Sequence, residues 1–275
     1  MTARKTVAAG AVSFGNHLPL ALIAGPCVLE GEEFALRTAA TLKSLCDAAG
    51  MALVYKSSFD KANRTSASSY RGLGLELGLK ILDRVRKELQ IPVVTDVHDV
   101  SQAQQAGAVV DLLQTPAFLC RQTDFIQGVA RVGKPVNIKK GQFLAPEQMA
   151  KVAEKAVSVG NDDLMLCERG YAFGYHNLVV DMRGLAIMAD SGFPVIFDAT
   201  HSVQLPGGMG HASSGERRFV APLARAATAV GIAGIFLETH PDPDHAPCDG
   251  ANMVPFAQLP DLLGQLKRID EVIKS

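Results

Sequence analysis

Residues 194–201, PVIFDATH, decide the fold, because an apolar run here ends in the polar side chains of Asp198, Thr200 and His201. This pattern is typical of a buried strand that delivers polar groups at its C-terminal end. The same pattern recurs along the chain, and the predicted strands are residues 20–24, 52–56, 92–96, 109–114, 135–140, 164–167, 194–201 and 234–238. Segments with the hydrophobic period of an α-helix separate these strands. The sequence therefore predicts an α/β fold, the (β/α)8 TIM barrel, whose chemistry lies at the C-terminal ends of the strands.

The chain length predicts one domain. The 275 residues are close to the roughly 250 of a TIM barrel, and we interpret residues 1–275 as a single TIM-barrel domain. Residues 1–18 fall outside the alternation of strands and helices, and the loose alternation within 6–14 predicts a short N-terminal β-hairpin extension at the bottom of the barrel. A doubly wound open sheet fits less well, because no GxGxxG motif follows the first strand.

Local signals also predict where helices begin and end. Hydrophobic spacing predicts helices over residues 75–89 and 259–274. Ser101 is the predicted cap of the third helix, and Pro146 is the predicted first residue of the fifth.

The composition argues against several classes of partner. A formal net charge of −1 gives no reason to expect nucleic acid or an anionic membrane, and no apolar stretch reaches the roughly 18 residues of a membrane helix. The N-terminal residues lack a clean apolar segment with a cleavage site, so we expect a cytoplasmic protein. The cysteines are odd in number and form no CxxC pair, which argues against a disulfide framework; they are Cys27, Cys46, Cys120, Cys167 and Cys248.

Side chains that carry chemistry stand at or just beyond the end of every predicted strand. Because the strand ends of a closed barrel surround one mouth, we expect these groups to form one charged pocket. In chain order they are Cys27, Lys56, Lys61, Asn63, Arg64, Asp96, His98, Gln114, Lys139, Lys140, Glu168, Arg169, Asp198, His201, Glu238, His240 and Asp249.

Cations from strand two, the loop after it, strand five and strand six meet in this predicted pocket. Lysine and arginine bind phosphate and carboxylate groups, and their number indicates more than one phosphate; they are Lys56, Lys61, Arg64, Lys139 and Arg169. One of the neighbours Lys139 and Lys140 must point away from the pocket. A lysine that forms a Schiff base with a carbonyl substrate is the alternative interpretation.

A mixed set of metal-type donors comes from adjacent strands. Strand one neighbours strand eight, and eight neighbours seven, so Cys27, His201, Glu238 and Asp249 are predicted to lie close together. Sulfur, nitrogen and oxygen donors together suit a borderline divalent metal ion such as zinc, iron or manganese. Taken alone, this spacing still favours a buried cysteine with unrelated acids.

Several segments closely resemble one family of enzymes. They include IAGPCVLE (23–30), YKSSFDKANRTS (55–66), LLQTPAFLCRQTD (112–124), VNIKKGQF (136–143), FDATH (197–201) and FLETHPDPDHAPCDG (236–250). Together they resemble the 3-deoxy-D-manno-octulosonate-8-phosphate synthase (2-dehydro-3-deoxyphosphooctonate aldolase) family, from the first strand to the loop after the last. The related 3-deoxy-D-arabino-heptulosonate 7-phosphate synthases typically carry KPRTS where this chain has KANRTS at residues 61–66.

The resemblance implies an activity and an assembly. Phosphoenolpyruvate, D-arabinose 5-phosphate and water would give 3-deoxy-D-manno-octulosonate 8-phosphate and phosphate, in lipopolysaccharide biosynthesis, and the chain would form a homotetramer. The heptulosonate synthase and a non-catalytic sugar-phosphate-binding barrel are the alternative functions.

The resemblance also implies roles for individual residues. Lys139 and Arg169 would hold the phosphate of phosphoenolpyruvate, while Arg64 and Thr65 would hold that of the sugar. The expected substrate-binding residues are Lys56, Ser58, Lys61, Asn63, Arg64, Thr65, Gln114, Lys139 and Arg169, and the expected catalytic residues are Lys61, Asn63, Asp96, His201 and Asp249.

Within this family, Cys27 resembles the metal-dependent branch, where the metal-free branch has asparagine. One divalent metal ion bound by Cys27, His201, Glu238 and Asp249 is therefore the expected cofactor. Cys248 is more familiar from the metal-free branch, and we interpret it as a packing residue.

Overall fold

The computed structural model describes residues 4–63, 70–172, 177–206 and 214–275. Within these ranges, eight parallel strands close into a barrel: β1 (Ala21–Gly25), β2 (Leu53–Lys56), β3 (Val93–Asp96), β4 (Leu112–Thr115), β5 (Val136–Lys139), β6 (Leu164–Glu168), β7 (Val195–Asp198) and β8 (Gly234–His240). Each strand pairs with the next in sequence, and β8 closes the ring on β1, with Glu238 opposite Gly25. The predicted (β/α)8 barrel is confirmed.

Eight helices of the described chain alternate with these strands. They are α1 (Glu32–Ala49), α2 (Leu75–Leu89), α3 (Val100–Gly107), α4 (Thr123–Ala130), α5 (Gln148–Val157), α6 (Arg183–Ala189), α7 (Val220–Val230) and α8 (Leu259–Lys274). Their buried faces and the outward-facing strand residues form one continuous apolar layer around the barrel. No helix in the described ranges has the length and apolar character that crossing a membrane requires.

The N-terminal hairpin closes the lower end of the barrel. Its strands, Val7–Ala9 and Val12–Phe14, pair antiparallel, and Val7 and Phe14 join the inward-facing residues of the barrel strands in one buried cluster. Alternation of buried and exposed residues in both short strands explains this position, since one face of the hairpin is apolar. The lower opening is thereby filled, and the upper mouth is left for polar groups.

Two predicted helix starts are wrong. Asp99, not Ser101, caps α3, because its carboxylate accepts a hydrogen bond from the backbone N–H of Gln102. Pro146 lies before the cap of α5 rather than at its first position, since the regular helix begins only at Gln148. Each helix still follows its own strand in the chain order, so the polar strand ends keep their place at the upper mouth.

Candidate active site

A pocket at the C-terminal ends of the strands collects most of the predicted site residues. Its lining includes Lys56, Ser58, Lys61, Asn63, Asp96, Lys139, Arg169, His201 and Glu238. Asp60, His98, Pro116, Ala117 and Phe118 complete the lining, and of these the strand-end pattern indicated only His98. Arg64 and Thr65 lie outside the described residues.

Glu238, near the C-terminal end of β8, is fully buried between two lysines. Lys56 Nζ donates to its Oε1 over 2.7 Å, and Lys61 Nζ lies 3.5 Å from the same oxygen. Burial alone would raise the pKa of Glu238, but the charges of Lys56 and Lys61 outweigh it and lower the pKa well below its usual range. Glu238 is therefore a permanent carboxylate at neutral pH.

Asp198, at the end of β7, links a lysine to a histidine. Its carboxylate accepts hydrogen bonds from Lys139 Nζ and from His201 Nδ1, the latter over 2.8 Å, and it has no exposed surface. Because Nδ1 donates to this carboxylate, the second ring nitrogen of His201 faces Glu238, with Nε2 3.7 Å from Oε2. The burial of Asp198 opposes ionisation, but the charges of His201 and Lys139 lower its pKa.

Asp96, at the end of β3, is held by neutral and charged donors. Ser58 Oγ and Gln114 Nε2 each donate to one of its oxygens over 2.7 Å, and Lys56 Nζ lies 3.7 Å away. Burial by itself would raise the pKa of Asp96, yet the charges of Lys56 and Lys61 lower it. Gln114 lies behind Asp96, with its other amide atom accepting from Asn137.

Lys139 and Arg169 point into the pocket, whereas Lys140 points away. Lys140 Nζ lies 3.5 Å from Glu168 and 3.6 Å from the ring centre of Tyr171, on the outer side of β5. Arg169 Nη2 donates to the backbone of His201 and to Gln204, while its buried Nε has no hydrogen-bond partner among the described residues. An arginine with an unused buried donor beside Lys139 is a suitable receptor for an anionic group.

The four expected metal ligands fall into two groups that share Asp249, and Cys248 joins one of these groups. His201, Glu238 and Asp249 form one set, and Cys27, Cys248 and Asp249 form the other; within each set the donor atoms lie within 4.8 Å of one another. Cys27 Sγ donates to Asp249 Oδ2 over 3.1 Å. A thiol, an imidazole and two carboxylates, with Asp249 common to both groups, are a donor set that fits a borderline divalent ion.

Comparisons with known proteins agree with the family resemblance seen in the sequence. The sequence matches the DAHP synthetase I family over residues 3–275. It is 68% identical over 270 residues to the 2-dehydro-3-deoxyphosphooctonate aldolase of Magnetococcus marinus, covering 98% of this chain and 94% of that protein. The proteins of the same name from Thioalkalivibrio sulfidiphilus and Coxiella burnetii are 60% and 59% identical, each over 95% of this chain and 93% of the relative.

Proposed function

The chain belongs to the DAHP synthetase I family, and we infer that it is an enzyme that condenses phosphoenolpyruvate with D-arabinose 5-phosphate and water. The products are 3-deoxy-D-manno-octulosonate 8-phosphate and inorganic phosphate, and the pathway served is lipopolysaccharide biosynthesis. Among the structural observations, the one that carries this function is the convergence of Lys56, Lys61, Lys139 and Arg169 on one pocket. Lysine and arginine bind phosphate groups, so two phosphorylated substrates would account for this number of cations.

The reaction joins two carbons and releases one phosphate. The methylene carbon of phosphoenolpyruvate attacks the aldehyde carbon of the sugar, water adds to the neighbouring carbon, and the phosphate leaves with cleavage of its C–O bond. Positive charge develops at the enol ether carbon and negative charge at the aldehyde oxygen. Preorganised charges at fixed positions stabilise both, because they need no rearrangement during the reaction.

Lys139 and Arg169 hold the phosphate of phosphoenolpyruvate. Both cations are already in place before substrate arrives, since Asp198 holds Lys139 and Gln204 holds Arg169. Lys56 and Ser58 contact the remaining polar groups of the same substrate. The sugar lies towards Lys61 and Asn63, and Arg64 and Thr65 bind its phosphate.

Asp96 and Asp249 are the carboxylates that direct water or a sugar hydroxyl. Asp96 is fixed by Ser58 and Gln114 and stays ionised because nearby lysines lower its pKa. A buried carboxylate in this state accepts a hydrogen bond without itself being protonated at neutral pH.

Cys27, His201, Glu238 and Asp249 would hold one divalent metal ion. The bound ion would polarise the aldehyde or orient water. A chelator is expected to abolish turnover, and elemental analysis of the purified protein is expected to find about one metal ion per chain. Full activity of metal-stripped protein would show that these residues act without an ion.

The quaternary structure and the cellular compartment complete the proposal. The chain works as a homotetramer in the cytoplasm. The cysteines Cys27, Cys46, Cys120, Cys167 and Cys248 are free and buried, which is compatible with a reducing compartment. Light scattering after gel filtration measures the oligomer, and a mass of one or two chains would contradict the tetramer.

Phosphate release measured with two sugars tests the proposed reaction. With phosphoenolpyruvate present, we expect release with D-arabinose 5-phosphate and little with erythrose 4-phosphate. The reverse preference would support the heptulosonate synthase, and no release with either sugar would leave a barrel that only binds sugar phosphates. Lys139→Ala is the inactive reference, and Lys151→Ala, at an exposed lysine of α5, is the matched control that keeps activity.

A further inference from the structure

The loop after β8 brings a second thiol to the metal-type donors. Cys248 Sγ lies 2.7 Å from Cys27 Sγ, and both side chains are buried. The two thiols are therefore in direct contact. Cys27 in turn contacts Asp249 at 3.1 Å. The two sulfurs and one carboxylate oxygen therefore form a compact group of donors.

The backbone of the loop is shaped to aim two consecutive side chains at this group. Neighbouring residues of an extended chain point to opposite sides. Asp249 instead adopts a left-handed conformation, with φ of +52°, which is uncommon outside glycine, asparagine and aspartate. The next residue must be glycine, because a Cβ on Gly250 would lie 2.1 Å from the carbonyl oxygen of Pro243. This turn lets Cys248 and Asp249 face Cys27 together.

Packing alone does not explain the position of Cys248. Cys248 shares a small apolar cluster with Val28, Met253 and the partly buried Ala246, but its Sγ also lies against the Cys27 thiol and within 4.8 Å of a carboxylate oxygen of Asp249. Backbone strain that places donor groups together is typical of functional sites.

We propose that Cys248 is a metal ligand, a second sulfur beside Cys27 and Asp249, and that the site consequently prefers a thiophilic divalent ion such as Zn²⁺, Cd²⁺ or Co²⁺ over Mn²⁺. The inference rests on the metal site proposed above and adds one ligand to it. Asp249 belongs to both donor groups, so it joins the two sulfurs to His201 and Glu238. Two thiolates favour soft ions, whereas oxygen-rich sites favour manganese and magnesium.

Cadmium ions alone, added to protein kept reduced by a thiol-free reductant, report directly on the number of sulfur ligands. Each cadmium–thiolate bond contributes ultraviolet charge-transfer absorption. Compared with wild type, Cys248→Ser is expected to lose about half of this absorption per bound ion, and Cys27→Ser about half, because each retains one of two sulfurs. Cys120→Ser, which removes another buried thiol, is the matched control and is expected to leave the absorption unchanged.

Metal preference gives a second readout. Cys248→Ser is expected to lower the affinity for Cd²⁺ relative to Mn²⁺ by about tenfold or more, since an oxygen donor replaces a soft one. Cys248→Ala tests the same point without a substitute donor. Should the variants fail to fold, X-ray absorption of zinc-loaded wild-type protein counts the sulfur neighbours at about 2.3 Å, with about two expected.

The outcomes separate this inference from the function on which it rests. Unchanged absorption and metal preference in Cys248→Ser, or a single sulfur neighbour of zinc in the wild type, would overturn the role of Cys248 and leave the four-residue site intact. A wild-type protein that binds none of these ions would overturn both. Phosphate release by metal-stripped protein would show that the reaction does not need the metal ion. It would not change the number of sulfur ligands that the cadmium and zinc measurements give.

Discussion

At the scale of single residues, Asp198 connects the two halves of the site, which are the proposed phosphate-binding residues and the proposed metal ligands. Its carboxylate accepts hydrogen bonds from the side chains of Lys139, His201 and Thr200, and from the backbone N–H of His201. It therefore sets both the position of Lys139, the lysine proposed to bind phosphate, and the ring orientation of His201, a proposed metal ligand. A carboxylate that orients a metal-binding histidine typically changes metal affinity or activity by about 10–100-fold when it is removed.

Asp198→Asn is expected to act on both halves at once. The variant loses the negative charge that holds Lys139 and His201, so metal affinity should fall by about 10–100-fold and the KM for phosphoenolpyruvate should rise. Calorimetric titration of metal and separate KM measurements for each substrate check this. Asp162→Asn, at an exposed aspartate paired with Lys5, is the control. A change in kcat with unaltered metal affinity would contradict the orienting role.

The two arginines are expected to separate the two substrates. Arg169→Ala removes a charge-assisted donor from phosphoenolpyruvate, and Arg64→Ala removes one from the sugar phosphate. Each loss should cost about 1.5–3 kcal/mol of binding to the respective substrate. Competition or calorimetric binding of each substrate gives the measurement. If both variants bound both substrates as the wild type does, the assignment would fail.

At the scale of elements, the close approach of β1 and β2 positions the pocket lysines. A Cβ on Gly25 would lie 1.9 Å from the backbone oxygen of Lys56, and the Nζ of the same lysine reaches the backbone oxygen of Cys27 over 3.3 Å. The glycine at the end of β1 is thus required by packing of the two strand ends. Its consequence is that Lys56 can reach Glu238.

Gly25→Ala should therefore disturb both stability and turnover. The added methyl group forces the two strands apart, at a cost of about 1–3 kcal/mol or more, and displaces Lys56, so kcat should fall. Gly264→Ala is the matched control, because a Cβ there meets open space on α8 and alanine in a helix is favoured by about 0.5–1 kcal/mol. Denaturant unfolding and steady-state kinetics of both variants make the comparison. Equal stability of the two variants would refute the packing argument.

At the scale of the whole molecule, the charged mouth links stability to pH. Folding lowers the pKa of Asp96 and that of Asp198, because nearby cations more than offset their burial. Groups with a lowered pKa in the folded state contribute stability above their unfolded pKa of about 3.9, and this contribution is lost as pH falls further. Protonation of these two carboxylates at acidic pH should therefore lower the free energy of unfolding of the protein.

The free energy of unfolding is expected to decrease from about pH 5 downward. Urea unfolding between about pH 7 and about pH 3 measures the slope. In Asp96→Asn the slope should be shallower, since one group whose pKa is lowered has been removed. Asp261→Asn, at an exposed position of α8, should keep more of the wild-type slope. A slope for Asp96→Asn as steep as that of the wild type would contradict the linkage.

The sequence by itself determined the barrel and the end of it that carries the chemistry. The bounds of α2 and α8 were predicted at both ends, because the period of the hydrophobic pattern is a local property of the chain. The polar residues after each strand were recognised for the same reason, and the resemblance of the segments around them indicated the reaction. Parallel strands in a closed ring then leave one mouth at which these residues meet.

Only the tertiary structure decided how those residues pair. Lys139 and Lys140 are identical neighbours in the sequence, but only Lys139 points into the pocket. Consecutive side chains of a strand face opposite sides, and the structure shows which of the two faces inward. Gln114 lies behind Asp96 rather than beside it. Cys248 reaches Cys27 because of a left-handed turn at Asp249. Contacts in the site join residues up to 222 positions apart, and no local pattern encodes a distance between them. That distance is set by strand register, barrel closure and the path of each loop.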